Sequence, residues 1–170
     1  MQRPSAVEYH INYQKYFDLV ASGDYLDLLG KNSIDTVSFF EKLPKEKLDY
    51  SYAAGKWTTK EVLMHIIDTE RVFSYRGLVA ARGDDITVRH RMDEELYASN
   101  SDVSHRTRES LISEFKAVRS STEKLFEHMT DTQSRRWCNI GTSPMTARAI
   151  AYFIIGHARH HVGVIQEKYL

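Results

Sequence analysis

Near the end of the chain, Ala151 to Val164 reads as a helix carrying His157 and His161 four residues apart. That spacing is just over one turn, so both imidazoles leave the same face, roughly 6 Å apart along the axis. The face is otherwise apolar, since Ile150, Ile154 and Val164 share it. An apolar helical stripe turns into the protein. The helix must therefore pack against others, and the interior must satisfy two rings that each carry a donor and an acceptor when neutral. Histidines three to five residues apart are also a common spacing of zinc ligands.

Three more stretches repeat the apolar stripe. Asp24 is placed to cap a helix running to about Leu43, just before Pro44, with Leu29, Ser33, Thr36, Phe40 and Leu43 facing inward. The hydroxyls of Ser33 and Thr36 either bond back to backbone carbonyls or line a polar cavity. After a loop ending in Gly55-Lys56-Trp57, Thr58 or Thr59 caps a second helix with the stripe Val62, His65, Thr69, Val72, Arg76 and Val79. Gly83-Asp84 ends it. A third helix, from about Thr107 to Met129, turns Leu111, Phe115, Val118, Thr122, Leu125 and Met129 inward. The loop after it is punctuated by Gly141 and Pro144.

The spacing thus predicts helices over 24–43, 58–82, 106–129 and 145–168, and nothing reads as a strand. Residues 1–23 hold Tyr9, Tyr13, Tyr16, Phe17 and Val20, a pattern that suits a short amphipathic helix covering the main body. The expected fold is all-α, a four-helix bundle forming one domain over 1–170. The connection over 83–105 is longer than an antiparallel pair needs, and leaves room for a crossover that makes helices two and three parallel.

A chain of 170 residues can bury one substantial core. Its 23 basic and 23 acidic residues give no net charge, which argues against a dedicated nucleic-acid binder. No apolar run reaches the roughly 18 residues of a membrane helix, and Met1 to Glu8 lacks the apolar core of a signal peptide. The lone Cys138 excludes an internal disulfide framework. These features favour the cytoplasm and no membrane partner.

The inward stripes of the second and fourth helices supply His65, His157 and His161. If those helices are neighbours, the three rings meet. They then either bond to one another, to hydroxyls and to water, or bind one divalent cation through three nitrogens. Three protein ligands leave a position open, the pattern of catalytic zinc, and imidazole also suits nickel, copper and iron. Glu61 and Asp68 lie one turn either side of His65 as a base, an outer acceptor or solvated charge. Arg76 suits a buried ion pair or a contact to a substrate carboxylate. His160 points about 100° away from His161 and is a poor ligand. Cys138 falls in a loop where a thiol could react, but a single cysteine is weak evidence of that.

From Gly55-Lys56-Trp57-Thr58-Thr59 through His65-Ile66-Ile67-Asp68-Thr69-Glu70 to Arg76, at Gly156-His157 and His160-His161, and in the tail Glu167-Lys168-Tyr169-Leu170, the chain resembles the DinB/YfiT-like superfamily of metal-dependent proteins. Weaker similarity covers most of the chain, including Glu114 to Arg119. The resemblance implies a bundle with parallel second and third helices, and a triad of one histidine on the second helix with an H-x-x-x-H pair on the last. Carried over, the triad is His65, His157 and His161. It further implies zinc or nickel as cofactor, a low-molecular-weight thiol such as bacillithiol or mycothiol as cosubstrate with a small electrophile, and a homodimer. The implied activity is a metal-dependent thiol S-transferase; a metal-dependent hydrolase and a non-catalytic metal-binding stress-response bundle are the alternatives. No catalytic base is implied. The chain departs from relatives in having Ile86-Thr87-Val88-Arg89-His90-Arg91-Met92 where many are Pro-rich, and Ala158 where many carry an acid.

Overall fold

The structure, a computed structural model, describes residues 1–87 and 90–170. In chain order the helices are α1 (Gln14–Phe17), α2 (Tyr25–Lys42), α3 (Thr59–Arg82), α4 (Glu94–Asn100), α5 (Arg108–Glu127), α6 (Asp131–Ser134) and α7 (Ala147–Lys168). A two-residue antiparallel pair, β1 (Trp137–Cys138) and β2 (Met145–Thr146), precedes α7. Side chains set where the long helices begin. Asp24 accepts from the Leu26 and Asp27 amides, Thr58 from Glu61, Thr107 from Ser110 and Thr146 from Ala149. Each satisfies amide donors that a helix start leaves open. Gly83, in the left-handed region at φ 82, closes α3.

The four long helices form a ring in which α3 packs between α7 and α5, and α2 closes it by touching both α5 and α7. Along α3 and α5 the contacts rise together: Glu70 meets Arg119, Ser74 meets Thr122, and Gly77 faces Phe126. These two helices are parallel, as the long connection suggests. Against α7 the order reverses, with His65 beside His157, Phe73 against Phe153 and Gly77 facing Ile150. The antiparallel α3–α7 contact brings the second-helix histidine to the last-helix pair.

Two apolar clusters fill the bundle. One gathers Tyr25, Phe73, Phe126 and Phe153; the other gathers Phe40, Val62, Leu111 and Ala158. Phe153 belongs to the first and Ala158 to the second, so His157 lies at their junction along α7. The small side chain of Ala158, 1% exposed, is enclosed by apolar neighbours there, where a carboxylate would be costly.

Several local expectations give way. Residues 1–23 form two 3-10 turns, Ala6–Glu8 and Ile11–Tyr13, and the single turn α1 rather than one helix. They still cover the body: Phe17 and Val20 are buried, and Tyr9 stacks on Phe17. The connection over 83–105 contains α4, capped by Asp93 and burying only Ala98. Val88 and Arg89, in the stretch that departs from relatives, lie outside the described residues. The loop over 130–144 holds α6 and one strand of the small hairpin, although no strand was expected. On α2 the buried polar side chains are Asn32 and Thr36, with Ser33 only half-buried. On α5 the inward set includes Arg119 and Phe126, while Val118 and Leu125 are half-buried. Among the described residues no helix is long and apolar enough to cross a membrane.

Candidate metal centre

α3 contributes His65 and α7 contributes His157 and His161, and the structure brings the three rings together. The Nε2 atom of His157 lies 3.1 Å from Nε2 of His65 and 3.1 Å from Nε2 of His161. One ligand atom from each ring lies within 4.8 Å of the other two. Zinc–nitrogen bonds of about 2.0–2.1 Å in a tetrahedral site place donors roughly 3.3 Å apart. Two edges of such a site are therefore nearly set, and the third pair of ligand atoms lies no more than 4.8 Å apart.

His65 and His157 are 6% and 5% exposed, and His161 is half-buried. Burial, with the nearby His160 charge, pushes the His65 pKa down to about 4. Burial and the neighbouring His65, His160 and Lys15 charges push His161 to about 2. Burial and the adjacent rings hold His157 well below the ordinary histidine range. All three are neutral near pH 7, which is the form that binds metal.

Neutral rings alone do not satisfy this arrangement. His157 Nε2 carries either one proton or one in-plane lone pair, yet it faces two ring nitrogens at 3.1 Å. A proton serves one neighbour, and one lone pair accepts well from one. A divalent cation would take the lone pairs of all three rings together, so the donor set fits such an ion. The His65 Nδ1 atom is also buried, without a hydrogen-bond partner among the described residues.

Aromatic side chains wall the centre. Trp57 packs 4.8 Å from the His65 ring, while Phe153 and Tyr16 lie 5.3 and 5.7 Å from His157. Gly156 lets the α1 backbone come this close, because a Cβ there would overlap the Tyr16 carbonyl. His160 turns instead to Tyr16, edge to face. A cleft of about 200 Å³ opens beside the centre, reaching His157, Thr69, Phe73, Phe153, Tyr13 and Arg76. By pattern alone Tyr13 and Tyr16 read only as covering residues; their spacing of three residues is the signal that both face one way.

The other candidates fall into place. Glu61 receives the Thr58 amide and hydroxyl at 2.6 and 2.8 Å, so its carboxylate serves the start of α3. Asp68 pairs with Arg71 at 3.4 Å, and burial raises its pKa. Cys138 is fully buried on β1. Arg76 makes no ion pair among the described residues; it donates to the His90 carbonyl at 2.6 Å and stacks on Phe73.

The buried rings make the metal-free protein acid-sensitive. An unfolded histidine takes up a proton near pH 6.5, whereas folded His65 stays neutral until about pH 4. Between those values the unfolded chain binds more protons, so stability falls as pH falls. Glu8 extends the loss: burial raises its pKa, but hydrogen bonds from Arg148, Ser5 and Thr146 prevail and hold it at about 2. The urea midpoint of metal-free protein should be nearly flat between about pH 7 and 9 and decline steadily below about 6.5. An unchanged midpoint between pH 7 and 5 would contradict neutral, buried histidines.

Fold and centre together define a helical-bundle protein with three histidines converging in its interior. The chain belongs to the DinB superfamily, whose family model matches residues 32–165. Among solved structures it is similar to YfiT from Bacillus subtilis, described as a probable metal-dependent hydrolase with an unusual four-helix bundle topology. That likeness has 17% identity and a TM-score of 0.76, and covers 98% of this chain and 90% of YfiT. A DinB-like protein of Bacillus subtilis, YjoA, matches with 19% identity and a TM-score of 0.59, over 85% of this chain and 88% of its own. A comparison with curated proteins gives no match. At these identities the two structures speak for the fold alone.

Proposed function

We propose that this chain is a metal-dependent enzyme of small-molecule chemistry, in which His65, His157 and His161 hold a divalent cation and a low-molecular-weight thiol is the nucleophile. The observation that carries the reading is the shared His157 Nε2 contact, 3.1 Å to each of two other ring nitrogens, beside an open cleft. A zinc- or nickel-class ion held there would supply Lewis acidity, lowering the pKa of a thiol or water bound to it. The three rings are neutral ligands, so they leave the ion's charge uncompensated and favour an anionic guest such as a thiolate. Trp57, Tyr16 and Phe153 exclude water from the flanks and steer a guest to the cleft side. The partners in this reading are a thiol and a small electrophile.

A second reading, hydrolysis by metal-activated water, is favoured by the likeness to YfiT and its description as a probable hydrolase. One experiment separates the two. Zinc- and nickel-loaded protein is assayed with cysteine or bacillithiol plus 1-chloro-2,4-dinitrobenzene, and separately with p-nitrophenyl esters. Thiol-dependent turnover above the metal-free protein supports the transferase. Steady ester turnover without thiol supports the hydrolase. Metal binding with neither activity leaves a non-catalytic metal-binding bundle and ends both enzyme readings.

A further inference from the structure

Three arginines are almost wholly buried among the described residues: Arg76, Arg119 and Arg148, at 3%, 1% and 6% exposure. Two of them follow one rule. Arg119 forks onto Glu70, and Arg148 forks onto Glu8. Arg76 breaks it. Among the described residues one of its five donors is bonded, to the His90 carbonyl, and its flat face rests 4.6 Å above Phe73. No carboxylate lies within ion-pair reach of it among the described residues. A buried guanidinium without a counter-charge is costly, and this one lines the cleft that reaches His157.

We propose that Arg76 binds the carboxylate tail of the substrate, so that the substrate bridges the histidine centre and Arg76 through the cleft. The proposal rests on the metal-site reading for the head of the substrate and on Arg76 alone for its tail. One wall between the two ends is aromatic: Phe73 packs 4.1 Å from Phe153, which lies 5.3 Å from His157, while Thr69 adds a hydroxyl to the lining. Arg76 stands eleven residues beyond His65 on α3, roughly 16 Å of helix rise, which its long side chain shortens by leaning towards the N-terminus. The ligand class is therefore a metal-coordinating head, a short apolar middle and a terminal carboxylate. The charges facing the cleft agree. Lys15, Arg76 and Arg91 stand against the single carboxylate of Glu94, and Lys15 and Arg91 are exposed where they can guide an anion inward.

The test titrates zinc-loaded, full-length protein calorimetrically with ω-mercaptocarboxylates of two to six methylenes, and with mercaptoalcohols of the same lengths. The acid should bind about tenfold or more tightly than the alcohol at one favoured length, as a charge-assisted fork implies. Arg76→Met should erase that difference and leave the alcohol's affinity unchanged. Arg76→Lys, which keeps the charge and guards against a folding failure of the first variant, should retain part of it. Lys15→Ala and Arg91→Ala should reduce it less. Equal affinity of acid and alcohol at every length, or a preference that survives Arg76→Met, overturns the proposal. A parallel arm on metal-free protein compares hexanoate with hexanol by ligand-observed NMR. An Arg76-dependent acid preference without zinc binding keeps the Arg76 tail contact but overturns the metal-bound head and the metalloenzyme reading; zinc binding without acid preference overturns the tail contact and leaves the metal reading standing.

Discussion

His157→Ala should lower zinc affinity by more than the roughly 100-fold that an outer partner of a metal ligand is worth. The reason is its position: its Nε2 atom is the one that both other rings approach at 3.1 Å. His65→Ala and His161→Ala should follow closely, since each leaves only two nitrogens at the centre. His160→Ala should change affinity little, because that ring packs on Tyr16 instead. Competition against a chromogenic chelator reads the affinities directly. Thermal unfolding gives a second readout, because a ligand that binds only the folded state adds about 2.7 kcal/mol at 100 times its Kd. The wild-type chain should show that metal-dependent gain, and the three triad variants should lose it. A His157→Ala protein that still binds zinc like the wild type would remove the centre from this account. Loss of metal binding in His160→Ala alone would move it to other ligands.

The centre was legible because its signal is periodic. A histidine pair one turn apart on an apolar stripe must face inward, and His65 falls on the matching stripe of α3. Helix starts were legible for the same local reason, since Asp24 and Thr58 carry the oxygen that a cap needs. Tertiary partners were not legible. Arg119 reads as surface by residue type, and only its meeting with Glu70 and Asn32 from two other helices explains its burial. Arg76 showed the converse, a position rightly placed inside whose expected acidic partner is missing among the described residues. The α4 helix escaped notice because seven residues that bury one alanine leave no stripe to read.

The second large effect lies away from the histidines, in that Arg119 network. Its guanidinium donates to both carboxylate oxygens of Glu70 at 2.8 Å and to Asn32 Oδ1 at 2.8 Å, and the two charged side chains are 1% and 2% exposed. The contacts tie α2, α3 and α5 together. Removing one member leaves a charge in the core without a partner, which costs about 3–5 kcal/mol. That is a large share of the roughly 5–15 kcal/mol that holds a domain folded. Glu70→Ala and Arg119→Ala should each lower stability by this order in urea unfolding. The double variant Glu70→Leu/Arg119→Met should lose far less than the sum, because neither charge remains. Its residual loss should be on the order of 1–2 kcal/mol, from the Asn32 and Leu29 oxygens that Arg119 no longer serves. Single variants within 1 kcal/mol of wild type, or losses that simply add, would show that water reaches the pair and that the network does not hold the three helices. Because Glu70 lies five residues from His65 on α3, the same variants test whether the centre depends on that brace. Zinc affinity in the double variant should stay near wild type if α3 keeps its place once both charges are gone.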